Sequence, residues 1–205
     1  MEPIKNNKEE LPLEYYVERY RQSDPAEIAA RCNLPFDEAT STFTFELLGD
    51  VYAISHPDFT ITGTRVPTNS ERILFLRHML DGHSSISSGQ FLPYREFPWG
   101  EVYVQQFSGR CIARYAFSYG FKPDKLRAIM ERMPAEPIAQ SDVGYEVTLM
   151  PGLKIQFLLW LGDEEFPPNA QILFSDNFRH AFSTEDMANI GDIIMGRMKA
   201  IGMQL

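Results

Sequence analysis

The chain has 205 residues, a formal net charge of −9 and a sequence pI of about 5.0. At that length folding buries roughly 70% of the surface the unfolded chain exposes, so no disulfide or metal staple is required. The acid excess disfavours a polyanionic partner such as DNA or RNA, and a hydrophobic share of 44% with 15 phenylalanines and 9 tyrosines excludes an intrinsically disordered chain.

Residues 1–10 are polar and charged and read as a frayed N-terminus, which leaves 11–205 as a single domain. The opening MEPIKNNKEELPLEYY carries no apolar core of a secretory signal. The strongest apolar run, Ile155 to Leu161 apart from Gln156, is far too short to cross a bilayer. Cys32 and Cys111 stand alone, without CxxC spacing, and read as reduced thiols of a cytoplasmic protein.

Pro12 opens a helix with Leu13, Tyr16, Val17 and Tyr20 on one face. In SDPAEIAARCNLP, Asp24 is placed to cap a second helix, Pro25 suits its first turn and Glu27 occupies the capping-box position. Its buried stripe is Ile28, Ala29 and Cys32. Phe43, Phe45 and Leu47 then alternate with polar residues, Gly49-Asp50 supplies a turn, and Val51 to Ile54 returns as the second arm of a hairpin. A short strand follows around Phe59 to Thr62. PTNSERILFLRHMLDG is a helix capped by Thr68 and Glu71, with Gly82 at its end.

Residues 83–100 read as a long loop, unusually aromatic for a solvated linker: Phe91, Tyr94, Phe97 and Trp99 surround Arg95. Glu101 to Tyr119 reads as one or two helices, divided at Gly109, with Val102, Phe107, Ile112, Tyr115 and Ala116 apolar. Pro123 starts another, with Leu126, Ile129, Met130 and Met133 inside. Tyr145, Val147 and Leu149 alternate in a strand, and MPG turns the chain. LKIQFLLW is a strand buried on both faces, and AQILF is another. STED caps a final helix with Met187, Ile190, Ile194, Met198 and Ile201 on its inner face. The sum is an α+β fold: a largely antiparallel sheet with segregated helices, the N-terminal and C-terminal helices packed on it. Regular strand–helix alternation, which a doubly wound parallel sheet needs, is absent.

The chemistry-bearing stretch is LWLGDEEFPPNAQILFSDN. Asp163, Glu164 and Glu165 follow Trp160 and Gly162 and precede Phe166 and two prolines. Convergent carboxylates suit a hard cation or proton transfer. Adjacent side chains of an extended chain diverge, so a polar turn with a solvated acidic rim is the simpler account. The prolines stiffen this turn in either case, and a stiff loop at a strand end is a platform for a ligand or partner. In the aromatic loop, Arg95 and Trp99 could line a wall for a flat ligand or simply staple the loop to the sheet. The four histidines have no metal-binding spacing, and no metal ligands are assigned. Asp176, Asn177, Arg179 and His180 lead into a helix whose first turn already carries Glu185 and Asp186, which compete with an anion. No GxSxG, GxGxxG or phosphate-cradling loop occurs.

LLWLGDEEFPPNAQILFSDNFRHAFSTEDMANIGDIIM resembles the domain-of-unknown-function family 3786. The likeness rests on Trp160, Gly162 to Pro168, Ile172 to Phe174, Asp176 and Thr184 to Asp186. DPAEIAARCNLPFD and YREFPWGEVY are weaker echoes toward the N-terminus. Ala181, Phe182 and Ser183 depart from the tyrosine–leucine–proline-like lead expected before the last helix. The resemblance implies no established activity. It implies a setting in anaerobic bacteria and archaea, where similar domains are sometimes joined to four-cysteine iron–sulfur modules like those of corrinoid proteins, and hence an accessory role in corrinoid or one-carbon metabolism. This chain's two cysteines cannot complete such a module. No cofactor is assigned.

The leading expectation is a cytoplasmic binding or accessory protein for an unidentified small molecule or protein, with no nucleic-acid or membrane partner. Its ligand-binding residues are expected to be Asp163, Glu164, Glu165, Phe166 and Trp160 on one wall of a cleft and Arg95 and Trp99 on the other. The alternatives are a carboxylate-dependent hydrolase or transferase using the same acids, and a protein–protein interaction module marked by an exposed apolar patch.

Overall fold

The computed structural model describes residues 10–205; apart from Glu10, the segment expected to fray lies outside the described residues. The backbone gathers into two compact units. The first runs to Ser85 and takes in His180–Phe182, and the second comprises Ile86–Arg179 and Ser183–Leu205. Both are α+β, and every strand pairing described is antiparallel. Among the described residues, no helix is long and apolar enough to cross a membrane.

The first unit contains α1 (Glu10–Arg21), α2 (Pro25–Cys32), α3 (Asn69–Asp81) and a four-stranded meander, β1 (Phe36–Asp37), β2 (Thr42–Leu47), β3 (Asp50–Ser55) and β4 (Ile61–Gly63). Phe43, Phe45 and Leu47 of β2 and Tyr52 and Ile54 of β3 are buried on one face. Phe75 of α3 lies against that face, 4.6 Å from the Phe45 ring and 5.0 Å from Tyr52. Thr68 and Glu71 form the expected capping box. Asp24 caps α2 by accepting from the Ala26 amide at 2.8 Å. Arg31 and Cys32 of α2 then satisfy the open end of α3: the guanidinium donates to the Gly82 and Met79 carbonyls and the thiol to that of His78.

Two local expectations shift. The hairpin turn is Leu48-Gly49, not Gly49-Asp50, because Leu47 pairs with Asp50. Both turn residues take positive φ, 51° and 79°, the twist a two-residue hairpin requires. Leu48 accepts this conformation while buried. Phe59, expected in a strand, sits before β4 at φ 55° with its ring turned into the core beside Tyr20.

The second unit is built on a five-stranded sheet in the order β5 (Phe91–Pro93), β9 (Asn169–Ser175), β8 (Leu153–Trp160), β7 (Val143–Met150) and β6 (Ala135–Ile138). β5 lies inside the stretch that reads as loop, and β6 carries no strand signal of its own in the sequence. Both are short edge strands, and the prolines they contain suppress the local signal. From Ile155 on, β8 is buried on both faces, as its apolar run, interrupted only by the buried Gln156, requires.

Residues 100–119 form one continuous rod: α4 (Gly100–Phe107), a π-helical stretch at Ser108–Ala113 and α5 (Arg114–Tyr119). Gly109 lies inside the π stretch and does not divide two helices. The π-helical stretch keeps residues four apart in line, so Phe107, Cys111, Tyr115 and Tyr119 form the buried stripe, while Val102, five residues before Phe107 in α4, falls off that face and is exposed. Phe107 meets Phe174 and Tyr115 meets Phe157, so the rod runs along β9 and β8. α6 (Pro123–Met130) follows. A four-residue helix, α7 (Phe178–Ala181), precedes α8 (Thr184–Gly202), which Ser183 and Asp186 cap. The α8 stripe Met187, Ile190, Ile194, Met198 and Ile201 is buried as its periodicity predicts. Gly191 is needed where α8 meets the rod, since a Cβ there would stand 2.5 Å from the Cys111 sulfur.

Candidate functional site

The acidic stretch forms a braced corner in the second unit. As the chain leaves β8, the Leu161 amide donates to Asp142 Oδ2 at 2.9 Å and the Gly162 amide to the Gly120 carbonyl at 3.3 Å. Asp163 then closes a turn on itself. Its Oδ1 accepts from the Glu165 and Phe166 amides at 2.8 and 2.7 Å, and its own amide donates to the Phe166 carbonyl at 3.0 Å. Pro168 is buried against Gly120, where a Cβ would collide with the proline ring. A Cβ at Gly162 would stand 2.7 Å from both the Phe121 ring and Pro168. Close approach therefore demands glycine at both positions.

These bonds divide the labour among the three acids. Asp163 is the turn former, and the Phe166 and Glu165 amides hold its carboxyl below the ordinary carboxylate range. Glu164 and Glu165 are exposed, and among the described residues neither makes a side-chain hydrogen bond or ion pair. Among the described residues, no group of three or more His, Cys, Asp or Glu is placed to hold a metal ion.

The corner instead presents apolar surface. Phe166 is 67% exposed and Phe121, whose ring lies against Gly162, 60%; Leu161 adds a third side chain at 36%. At about 200 Å² for each phenylalanine, the two rings leave on the order of 250 Å² in solvent, a few hundred Å² being the scale at which exposed apolar surface marks an interaction site. Phe121 and Asp142 were not singled out from the sequence. For Phe121 a signal existed, since it falls outside the buried stripe of the rod. For Asp142 there was none, because its part depends on a contact across 19 residues of chain.

The structure does not bring the aromatic loop to this corner. Tyr94 of that loop stacks on Phe107 at 4.1 Å and donates to the Thr184 carbonyl, and Phe97 meets Phe174. Trp99 stands immediately before α4 at φ 64° and is 77% exposed. Phe121, against Gly162, lies just past the other end of the rod. Some twenty helical residues separate the two by about 30 Å. Trp160 is half-buried where β8 ends, paired with Asn169, and Arg95 is exposed without a side-chain hydrogen bond among the described residues. The expected residues thus fall into two groups: Trp160 and Asp163 to Phe166 at one end of the rod, Arg95 and Trp99 at the other.

Several other titratable groups have structural work. Asp176 is held at about 2 by the Ser87 and Ser88 hydroxyls, which tie residues 87–88 to the end of β9. Arg179 lies over the Phe97 ring and donates to the Asp176 carbonyl. His78 is buried beside Phe45 and Phe182. Cys32 and Cys111 are free and buried, with burial pushing their thiols up to about 11 and about 12.

Comparison with curated proteins and with solved structures finds no match. A family model does match, over residues 24–197, which takes in both units and the corner. The chain belongs to the family described as domain of unknown function DUF3786.

Proposed function

We propose that this is a cytoplasmic binding or accessory protein whose binding surface is the corner formed by Phe121, Leu161, Gly162–Pro168 and Asp142. The observation that carries this reading is the exposure of Phe121 and Phe166 on a backbone braced by Asp163, Gly120 and Pro168. A turn that only ended a strand would not need to hold aromatic rings in water, and braced exposed aromatics lose little side-chain entropy on binding. Of the two kinds of partner expected, the exposed aromatic rings of Phe121 and Phe166 beside the carboxylates favour a protein segment.

The test is affinity capture from the cytosol of the source organism with the full chain immobilised. Phe166→Ser is the site variant and Trp99→Ser the control at the other end of the rod. The reading expects a specific partner held by the wild type and by Trp99→Ser and lost with Phe166→Ser at an unchanged thermal midpoint. Equal capture by all three would remove the corner from the function. The link to corrinoid chemistry rests on the family's setting, and a visible spectrum of anaerobically purified protein tests it: a corrinoid band supports it, a colourless sample counts against a bound corrinoid.

A further inference from the structure

From the charges around the apolar corner we infer its occupant: a cationic, apolar segment of a protein partner, in which lysine or arginine alternates with bulky hydrophobic side chains. This rests on the corner being the binding surface. The centre is Phe121, Leu161 and Phe166. Around it stand Asp142, joined to the Leu161 amide, and Asp163, Glu164 and Glu165, with Lys122 the cation adjoining Phe121 in sequence. Asp142 and Asp163 spend part of their hydrogen-bonding capacity on backbone amides, and those amides hold the Asp163 carboxyl below the ordinary carboxylate range. Glu164 and Glu165 have no internal partner among the described residues.

An apolar surface with an anionic rim is complementary to a segment whose hydrophobic side chains cover the rings while its cations reach the carboxylates or lie over the ring faces. The same charges argue against other occupants. A second copy docked about a two-fold axis would set one acidic rim against the other. An anionic membrane or a nucleic acid would meet the rim and a net charge of −9. A neutral apolar segment would cover the rings and leave the carboxylates without counter-charges.

The experiment is a fluorescence-anisotropy titration of the full chain with three labelled synthetic peptides of equal length, alternating Lys with Leu and Phe, Glu with Leu and Phe, or Lys with Ser. The variants are the charge-neutral pair Glu164→Gln/Glu165→Gln and, separately, Phe166→Ser, whose backbone alone makes the turn. The inference expects saturable binding of the Lys–Leu–Phe peptide only, weakened roughly tenfold by the charge-neutral pair with a flatter salt dependence. Phe166→Ser should lose it, with thermal midpoints unchanged throughout. Equal binding of the Lys–Ser peptide would show charge alone at work and overturn the inference. Binding of the Glu–Leu–Phe peptide that Phe166→Ser abolishes would also overturn it, while keeping the corner as an interface. So would self-association in sedimentation that Phe166→Ser abolishes, which would make the occupant a second copy. Binding of the Lys–Leu–Phe peptide that survives both variants would overturn the inference and the corner together.

Discussion

Acidification should destabilise the first unit through His78. The imidazole is 3% exposed, with the Phe45 ring 5.8 Å and the Phe182 ring 5.2 Å away and Nδ1 3.4 Å from the Ala181 carbonyl. Burial lowers its pKa from 6.5 to about 4; the Ala181 carbonyl opposes that shift, and Arg31 adds to it. The unfolded chain therefore takes up this proton first as pH falls. The stability contributed by the neutral ring is fully present above about pH 6.5 and is lost as pH drops toward about 4. Linkage puts the loss at about 2 kcal/mol between about pH 7.5 and about pH 5, rising toward about 3 kcal/mol below the folded pKa. Urea denaturation of the wild type and of His78→Gln at several pH values in that window isolates the contribution, because the other titrating groups are common to both. The wild type should lose about 2 kcal/mol more than the variant. Ring-carbon NMR of histidine-labelled native protein supplies a second readout, with the His78 signal flat down to about pH 5. Parallel pH profiles for the two proteins, or a His78 resonance titrating near its ordinary value, would refute the reasoning.

Arg65 bonds Asp50 at 2.7 Å and also pairs with Glu71, whose side chain is only 4% exposed; burial raises the Glu71 carboxyl, and Arg65 with Thr68 overcomes that and holds it low. Arg65→Ala should cost about 3–5 kcal/mol in chemical denaturation, and adding Glu71→Gln should recover part of it; no recovery would mean the stranded carboxylate is not the cause. Gly191→Ala places a methyl 2.5 Å from the Cys111 sulfur and should cost about 1–3 kcal/mol, with Cys111→Ala relieving most of it in the double variant. Strict additivity of the two substitutions would count against the clash.

Most helices and the antiparallel α+β character could be read from the chain because their signals are local. Thr68 with Glu71 and Ser183 with Asp186 lie three residues apart, and the stripe Met187 to Ile201 repeats at helical period. β8 is visible because a strand buried on both faces needs a nearly continuous apolar run, which Ile155 to Trp160 supply apart from Gln156. β5 and β6 were hidden because their identity comes from the neighbours they pair with rather than from their own composition. Whether residues 101–119 form one helix or two is undecided from the sequence for a similar reason, since a π-helical stretch carries the helix through Gly109 without marking the sequence.

By itself the sequence determined that the Gly162–Pro168 segment is stiff, acidic and aromatic, because prolines act on their own φ and on the residue before them. Tertiary structure alone decided which parts act together. The rod running along β8 and β9 carries Trp99 away from the acidic turn and sets Phe121 against Gly162. Asp142 reaches the corner because β7 and β8 are adjacent in the sheet. Proximity between residues distant in sequence is set by strand order and helix length, and neither is encoded in any short window of the chain.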